Sequence, residues 1–385
     1  MKKKQGEMIY QEETMGRRFG RLVLRWLRRA LLLLLVAGGL GLWYVYRNLN
    51  LILDGPSPTA RDRMALSLYE NADTSWIPEK FMSPQEILDL QQKPAEADPR
   101  QEDPQEQKLE IVMEIPAGMG DSSEAGEWAD CPDGIRMEIL KGETYRAYAM
   151  LIKDPSRVYL GLSNPELSPS VPGKPIDDAM DAEGAVAAIN SGAFFDNGTS
   201  EPKVGATPMG LVISQEKCAW KTGTPPSRGF AGFTADHKLY VSGSNLNLSQ
   251  AEELGIRDGC CFGPALMIDG ELIESARKQL PGRQPRTAIG QREDGAVIFL
   301  CIDGRQASSV GGTMDDVIEL MQRLGAVNAC NMDGGSSTVM MYRDQMGLYG
   351  ESGEKYMVNS YSQLQAKPRK MPDYWMVRPN PEKED

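Results

Sequence analysis

A run of small, mostly apolar residues, Gly325-Ala326-Val327-Asn328-Ala329-Cys330, breaks off at Asn331-Met332-Asp333-Gly334-Gly335-Ser336-Ser337-Thr338 and resumes as Val339-Met340-Met341-Tyr342. Apolar runs of this length on either side of a polar break read as two short buried strands. The break must then lie at a strand tip, and it carries one carboxylate, two glycines and three hydroxyls. Glycine allows positive φ and close approach of backbone to a ligand, and successive N–H groups in such a turn form a concavity for anions or sugar oxygens. Two readings are open: a tight hairpin with ordinary turn chemistry, or a ligand-binding turn made of Asp333, Gly334, Gly335, Ser336 and Ser337.

Upstream segments share this character. Ala187-Ala188-Ile189-Asn190 is a strand ending in an amide, followed by Gly192, Phe194 and Phe195, two rings that suit either a sugar-facing wall or the core. Phe262 to Gly270 reads as strand and hairpin turn. Arg286 and Thr287 open the run 286–290, and Val297–Ile302 ends in Asp303-Gly304-Arg305. A buried arginine either pairs with an acid, here Asp303 or Asp333, or binds an anion. Ser308-Ser309-Val310-Gly311-Gly312-Thr313 leads into the clearest helical pattern, Thr313–Leu324, where Gly312 and Thr313 fit an anion-binding helix N-terminus or a plain N-cap.

Strand 296–302, helix 313–324 and strand 326–330 resemble a βαβ unit. That arrangement predicts a parallel pair whose tips bring Asp303 and Asp333 together, beside Arg286. Further short strand patterns at 135–140, 145–152, 158–162, 185–189, 209–213, 230–234, 239–241 and 265–268, with helical patterns at 177–181 and 249–254, predict an α+β fold. The expected architecture is a mixed β-sheet domain with a few packing helices, preceded by one N-terminal transmembrane helix.

The formal charge of −12 argues against nucleic acid as a partner. Positive charge is concentrated in residues 1–29, just before the apolar run Ala30–Tyr46, which ends in Trp43, Tyr44 and Tyr46. That run, about 17 residues, is at the short end of a bilayer span. Its basic flank predicts a cytoplasmic N-terminus and an extracytoplasmic remainder. A cleaved signal peptide shares the charged and apolar regions, but the bulky aromatics favour an uncleaved signal anchor. Residues 47–92 read as a membrane-proximal helical stalk, with helix starts at Ser57 and Ser83. Residues 93–129 read as an acidic flexible linker, 130–378 as the main domain and 379–385 as a charged tail. The six cysteines show no CxxC spacing, so no zinc site is expected, and no metal or cofactor is assigned. His237 is the only histidine, so any Ser-His-Asp or Cys-His mechanism would rest on it alone.

Taken in order, Asn190-x-Gly192-x-Phe194-Phe195, Gly263-Pro264-x-Leu266-x-x-x-Gly270, Pro285-Arg286-Thr287-Ala288-Ile289-Gly290, Asp303-Gly304-Arg305 and Asn331-x-Asp333-Gly334-Gly335-Ser336-Ser337 resemble the motifs of the phosphodiester glycosidase family. The resemblance spans about residues 130–378, and Ser336 stands where many relatives carry a third glycine. It implies a hydrolase that cleaves a sugar-1-phosphodiester, in the manner of an N-acetylglucosamine-1-phosphodiester, and releases sugar and phosphomonoester. Members annotated with exopolysaccharide biosynthesis point to a cell-envelope phosphoglycan as substrate. The alternative is an inactive membrane-tethered glycan-binding module, since fold does not guarantee activity.

Within that resemblance, Asp333 is expected to act as base or nucleophile, with Asp303 as the second acidic group. Arg286, the amides of 311–313, Ser336 and Ser337 are expected to hold phosphate, and Asn190 a sugar hydroxyl. Thr287, Gly192, Phe194, Phe195, Gly304, Arg305, Gly334 and Gly335 complete the expected substrate-binding set. A glycosyl phosphate needs little acid assistance, because phosphate departs as a stabilised anion; one carboxylate and an anion cradle could suffice.

Overall fold

The structure, a computed structural model, describes residues 2–53, 76–83, 133–195, 205–222, 229–280, 282–306, 308–344, 353–360 and 368–381, with residues 61, 65, 85, 86, 128 and 131. The chain opens with one helix, Lys2–Leu53. Within it, Trp26–Asn50 is long and apolar enough to cross a membrane, and its leucines are exposed. Arg29 lies over the Trp26 ring at 5.8 Å and Arg47 over Trp43 at 5.4 Å. Leu53 packs with Ala65 and Met82. Ser83 and Glu86 form the expected cap: the Glu86 N–H donates to Ser83 Oγ, and the Ser83 N–H and hydroxyl both donate to Glu86 Oε2. The body of the stalk helix from Ser57 and the linker at 93–108 lie outside the described residues.

The rest is α+β, as the strand and helix patterns predict. The largest sheet has seven strands, in the spatial order Ile135–Lys141, Arg146–Ile152, Val297–Ile302, Arg286–Arg292, Ala326–Met332, Ala265–Ile268 and Glu271–Leu272. Helix Met314–Arg323 buries Val317, Ile318 and Met321. It lies on one face of the sheet, where a Cβ on Gly290 would stand 3.1 Å from the Met321 sulfur. Its N-cap, Thr313, forms a reciprocal capping box with Asp316.

The expected parallel pair is not formed. Val297–Ile302 and Ala326–Met332 do run in the same direction, but Arg286–Arg292 lies between them, antiparallel to both. The reason is local: the tight turn through Asp294 and Gly295 pairs the two earlier strands first, a short hairpin being the cheaper connection. The helix then carries the chain across to the hairpin's far side. The three tips still share one edge, because Arg286 pairs with Ile302 and Thr287 with both Cys301 and Met332.

A second sheet runs Leu239–Ser242, Phe230–Thr234, Ile256–Cys261, Gly210–Ser214, Lys217–Thr222. A third runs Lys355–Met357, Met340–Arg343, Ala187–Asn190, Asp373–Val377, Val158–Leu162. Trp375 joins all three: its indole N–H points to the Met332 sulfur at 3.4 Å, and its ring meets Phe233 edge-on at 5.6 Å. The buried Asp258 carboxylate accepts the N–H groups of Leu160 and Gln215, stitching the edge of the third sheet to the second. Cys301 and Cys330 are buried free thiols, as expected for small hydrophobes in strands. His237 sits in the turn after Phe230–Thr234, its Nδ1 2.6 Å from Arg257 Nη1.

Candidate active site

The 333–338 turn forms where strand Ala326–Met332 leaves the large sheet to enter Met340–Arg343 in the third. Gly335 takes the left-handed conformation at φ 62°, which spares a β-carbon the strain of that region. Ser336 does not have positive φ among the described residues, so a third glycine is not needed there. Gly334 lies so close to the Pro285 carbonyl that a Cβ would be 2.8 Å from its oxygen, and the Gly335 N–H donates to the same oxygen at 2.8 Å.

Asn190 anchors the turn. Its Nδ2 donates to the Asp333 carbonyl at 2.6 Å, while its Oδ1 accepts from Thr287 Oγ1 at 2.8 Å and from the Val339 N–H at 3.1 Å. The Asp333 N–H donates to the Ser191 carbonyl. The amide nitrogen and oxygen of Asn190 both bond to protein, and the side chain is fully buried. The expected sugar-hydroxyl contact gives way to a positioning role. Thr287, also buried, serves the same junction, lying 3.3 Å from Thr338 Oγ1.

The Asp333 carboxylate is half-buried at the tip. Burial pushes its pKa up to about 6, against hydrogen bonds from the Ser337 hydroxyl and the Gly334 N–H that favour the charged form. A carboxyl poised there is ionised at neutral pH yet weakly solvated, which suits a base or nucleophile.

Asp303 is at the same edge, two strands away, but only 2% exposed. Its oxygens accept from the Ser360 N–H at 3.2 Å and Asn359 Nδ2 at 3.4 Å. Burial raises its pKa, with bonds from Ser360, Asn359 and Tyr148 opposing. Asp303 therefore fastens residues 359–360 to the strand tip. The expected partnership of Asp303 and Asp333 in one open pocket is reduced to a shared edge.

Arg286 departs furthest from expectation. Alternation puts its side chain on the helix-covered face, where Nε donates to the Gly312 carbonyl at 3.2 Å and Nη2 to the carbonyls of Leu280 and Gly282. It is 5% exposed and holds loop backbone together. The 311–313 loop is similarly spoken for: Gly311 N–H donates to Thr144 O, Gly312 N–H to Gln284 O, and Thr313 N–H to Asp316 Oδ2. The anion cradle expected there gives way to a helix cap and loop bonds. Gly304 packs on Pro285, whose ring nitrogen would be 2.6 Å from a Cβ. Gly192 packs on Cys260 and the Cys261 carbonyl.

A different arginine reaches the turn. Arg369 Nη1 donates to Ser336 Oγ at 3.1 Å and Ser337 Oγ at 3.2 Å, and its guanidinium lies over the Phe194 ring at 5.1 Å. Phe195, next along, is 42% exposed. Arg305, which donates from Nε and Nη2 to Gln284 Oε1, comes within 3.0 Å of where a Gly335 Cβ would be. Sequence reasoning missed Arg369 because Lys367-Pro368-Arg369-Lys370 reads as a solvated basic stretch. Only the placement of strand Asp373–Val377 brings it to the turn.

The family model for phosphodiester glycosidase matches residues 183–378. The SPbeta prophage-derived uncharacterized protein YomE of Bacillus subtilis is 28% identical over 194 residues, covering 48% of this chain and 27% of that protein. The chain therefore spans about a quarter of that relative's length. Among solved structures, the zebrafish N-acetylglucosamine-1-phosphodiester alpha-N-acetylglucosaminidase catalytic domain, described as auto-inhibited by its pro-peptide, is 18% identical with a TM-score of 0.49, covering 63% of this chain and 82% of that one. A hypothetical protein from Synechocystis is 17% identical with a TM-score of 0.44, covering 63% and 62%. Over the region that holds Asn190, the Asp333 turn and Arg369, about half its length, this chain belongs to the phosphodiester glycosidase family.

Proposed function

We propose that the chain is a membrane-anchored hydrolase that cleaves the sugar–phosphate bond of a sugar-1-phosphodiester in an envelope glycan. The domain would lie outside the membrane, and the products would be free sugar and a phosphomonoester. The observation that carries this reading is the Asp333 carboxylate, raised to about 6, at a turn clamped by Asn190 and faced by hydroxyls and cations. Asp333 acts on the anomeric carbon, directly as nucleophile or by taking a proton from water. The phosphate side leaves as an anion and needs no strong general acid. Asn190, Thr287 and Ser191 hold the carboxylate in place without touching substrate. The helix Trp26–Asn50 supplies the anchor, and the basic residues before it set a cytoplasmic N-terminus.

The test is to incubate the full chain in detergent with UDP-N-acetylglucosamine and with synthetic sugar-1-phosphodiesters, then identify the products. Free sugar with phosphomonoester, abolished by Asp333→Asn, supports the reading. Sugar phosphate as product places the cut on the other side of phosphorus. Binding without release makes the domain a glycan-binding module.

A further inference from the structure

We infer that Asp373 is a positioning residue for the reaction: its carboxyl holds Ser191, and Ser191 holds the main chain of Asp333 in the orientation from which the carboxylate acts. This deepens the hydrolase reading, on which it rests for the role of Asp333. Asp333 is gripped at both of its backbone polar groups by two consecutive residues. Its N–H donates to the Ser191 carbonyl at 3.0 Å, and its carbonyl accepts from Asn190 Nδ2. Asn190 is fixed in turn by Thr287 and Val339. Ser191 is fixed by Asp373: the serine hydroxyl donates to the Asp373 carbonyl at 2.8 Å and to Oδ1 of its carboxyl. The sheet sets this up. Tyr374 pairs with Asn190 in an antiparallel ladder, so Asp373, one residue earlier, arrives beside Ser191, one residue later. Side chains alternate along a strand, which puts Asp373 on the same face as Trp375, turned toward Met332 at the end of the large sheet.

Ser191 and Asp373 are both buried, and Asp373 Oδ2 has no hydrogen-bond partner among the described residues. The buried Cys260 thiol lies near enough for Asp373 to raise its pKa, and being neutral it supplies no countercharge. A carboxyl with one bare oxygen in the interior is poor glue, because the loss of hydration is only partly offset. What it does well is fix one hydroxyl in one direction. The supports on either side are separate: Asn190 is laddered to Tyr374, and the Ala193 N–H donates to the Cys261 carbonyl at 3.3 Å. Loss of the carboxyl therefore loosens the joint at Ser191 and leaves the sheets standing. The effect falls on Asp333, whose carboxylate keeps its bonds to the Ser337 hydroxyl and the Gly334 N–H only while its main chain stays in place. A misplacement of about 1 Å at a reacting group costs on the order of a hundredfold in rate.

The experiment compares Asp373→Ala, Asp373→Asn and Ser191→Ala in the full chain in detergent, with folding checked by circular dichroism. With a sugar-1-phosphodiester, Asp373→Ala is expected to lower kcat about tenfold or more while KM stays within about threefold. Asp373→Asn, whose Oδ1 accepts the same hydroxyl, recovers most of that loss. The Ser191→Ala, Asp373→Ala double variant is slower than either single one by no more than about twofold, because the two residues act as one link. A second readout needs no substrate. Asp333→Asn is introduced into each background, and its effect on melting temperature is compared at pH 8 and pH 4. The difference between the two reports the burial of the Asp333 carboxylate. It is expected to shrink to less than about half in Asp373→Ala and to persist in Asp373→Asn. Should Asp373→Ala not fold, Ser191→Ala cuts the same link and is held to the same criteria. A folded alanine variant that keeps either the parent's kcat or its pH difference overturns the inference, as does a loss that asparagine does not recover. Absence of turnover by the parent removes the hydrolase reading, and the melting difference then decides the positioning role by itself. Turnover that Asp333→Asn abolishes and Asp373→Ala leaves untouched removes the positioning role and keeps the hydrolase.

Discussion

The side-chain amide of Asn190 donates to the backbone carbonyl of Asp333 at 2.6 Å, across 143 residues of chain. This one contact ties the end of a strand in the third sheet to the turn that leaves the large sheet. Replacing Asn190 by alanine strands the Val339 N–H and the Asp333 carbonyl, and leaves the Thr287 hydroxyl with only its longer contacts to Thr338 and Cys301. Buried groups without partners cost on the order of 1–3 kcal/mol each. A stability loss of roughly 2–4 kcal/mol is expected by denaturant titration, with turnover falling further than stability because Asp333 shifts.

Asp333→Asn keeps the shape of the turn and removes the charge. Loss of a base or nucleophile at the reacting centre lowers kcat by about 10²–10⁴. A variant that keeps more than a tenth of the activity, with unchanged circular dichroism, would remove Asp333 from the chemistry.

The pH dependence follows from the same group. Asp333 must be ionised to act, so kcat/KM is expected to rise with pH through about 6 and level off above it. Stability runs the other way. A carboxyl whose pKa is raised by folding contributes stability that is fully present below its unfolded pKa, about 3.9, and lost as pH rises through the folded value of about 6. Asp373, buried and raised to about 6 with Ser191 as its hydrogen-bond donor, adds in the same direction. Asp333→Asn should therefore be relatively more stable than the parent at pH 8 than at pH 4, by up to about 3 kcal/mol at 1.36 kcal/mol per unit. Melting curves at the two pH values measure it.

Thr313→Ala separates a cap from an anion site. With its hydroxyl accepting the Asp316 N–H and donating to Asp316 Oδ2, Thr313 is worth about 1 kcal/mol to the helix. Stability should fall by that amount while phosphate affinity stays within twofold. A phosphate-specific loss would return the anion cradle to residues 311–313.

Gly304→Ala should damage the edge that carries the strand tips. Its new methyl would meet the Pro285 nitrogen at 2.6 Å, and that contact is backbone rather than a yielding side chain. A loss of about 2 kcal/mol or more is expected, with the strand tips carrying Asp303 and Arg286 pushed apart.

Much of this was visible in the residues themselves. Val297–Ile302 is six apolar residues in a row and could only be a buried strand; Thr313–Leu324 carries its own cap and apolar stripe. The Asp333 turn announced itself by glycine and hydroxyl content between two strands. Other elements were hidden by polar residues that the fold uses internally. Strand Ile256–Cys261 contains Arg257, Asp258 and Gly259, and its acid is buried to serve a neighbouring sheet edge. Arg286 looked like a ligand-binding cation because sequence shows that an arginine is buried, not which face it points to. The Asp294-Gly295 turn was the available signal that a hairpin would occupy the slot assigned to a parallel partner.

Strand Asp373–Val377 occupies an inner position in the third sheet, flanked by Val158–Leu162 and Ala187–Asn190. A ribosome releases this chain from its amino end, so those two earlier strands wait with a gap between them until residue 377 emerges. Arg369 arrives with that same late segment. A nascent chain halted before that segment would carry the Asp333 turn without the arginine that bonds to its Ser336 and Ser337 hydroxyls.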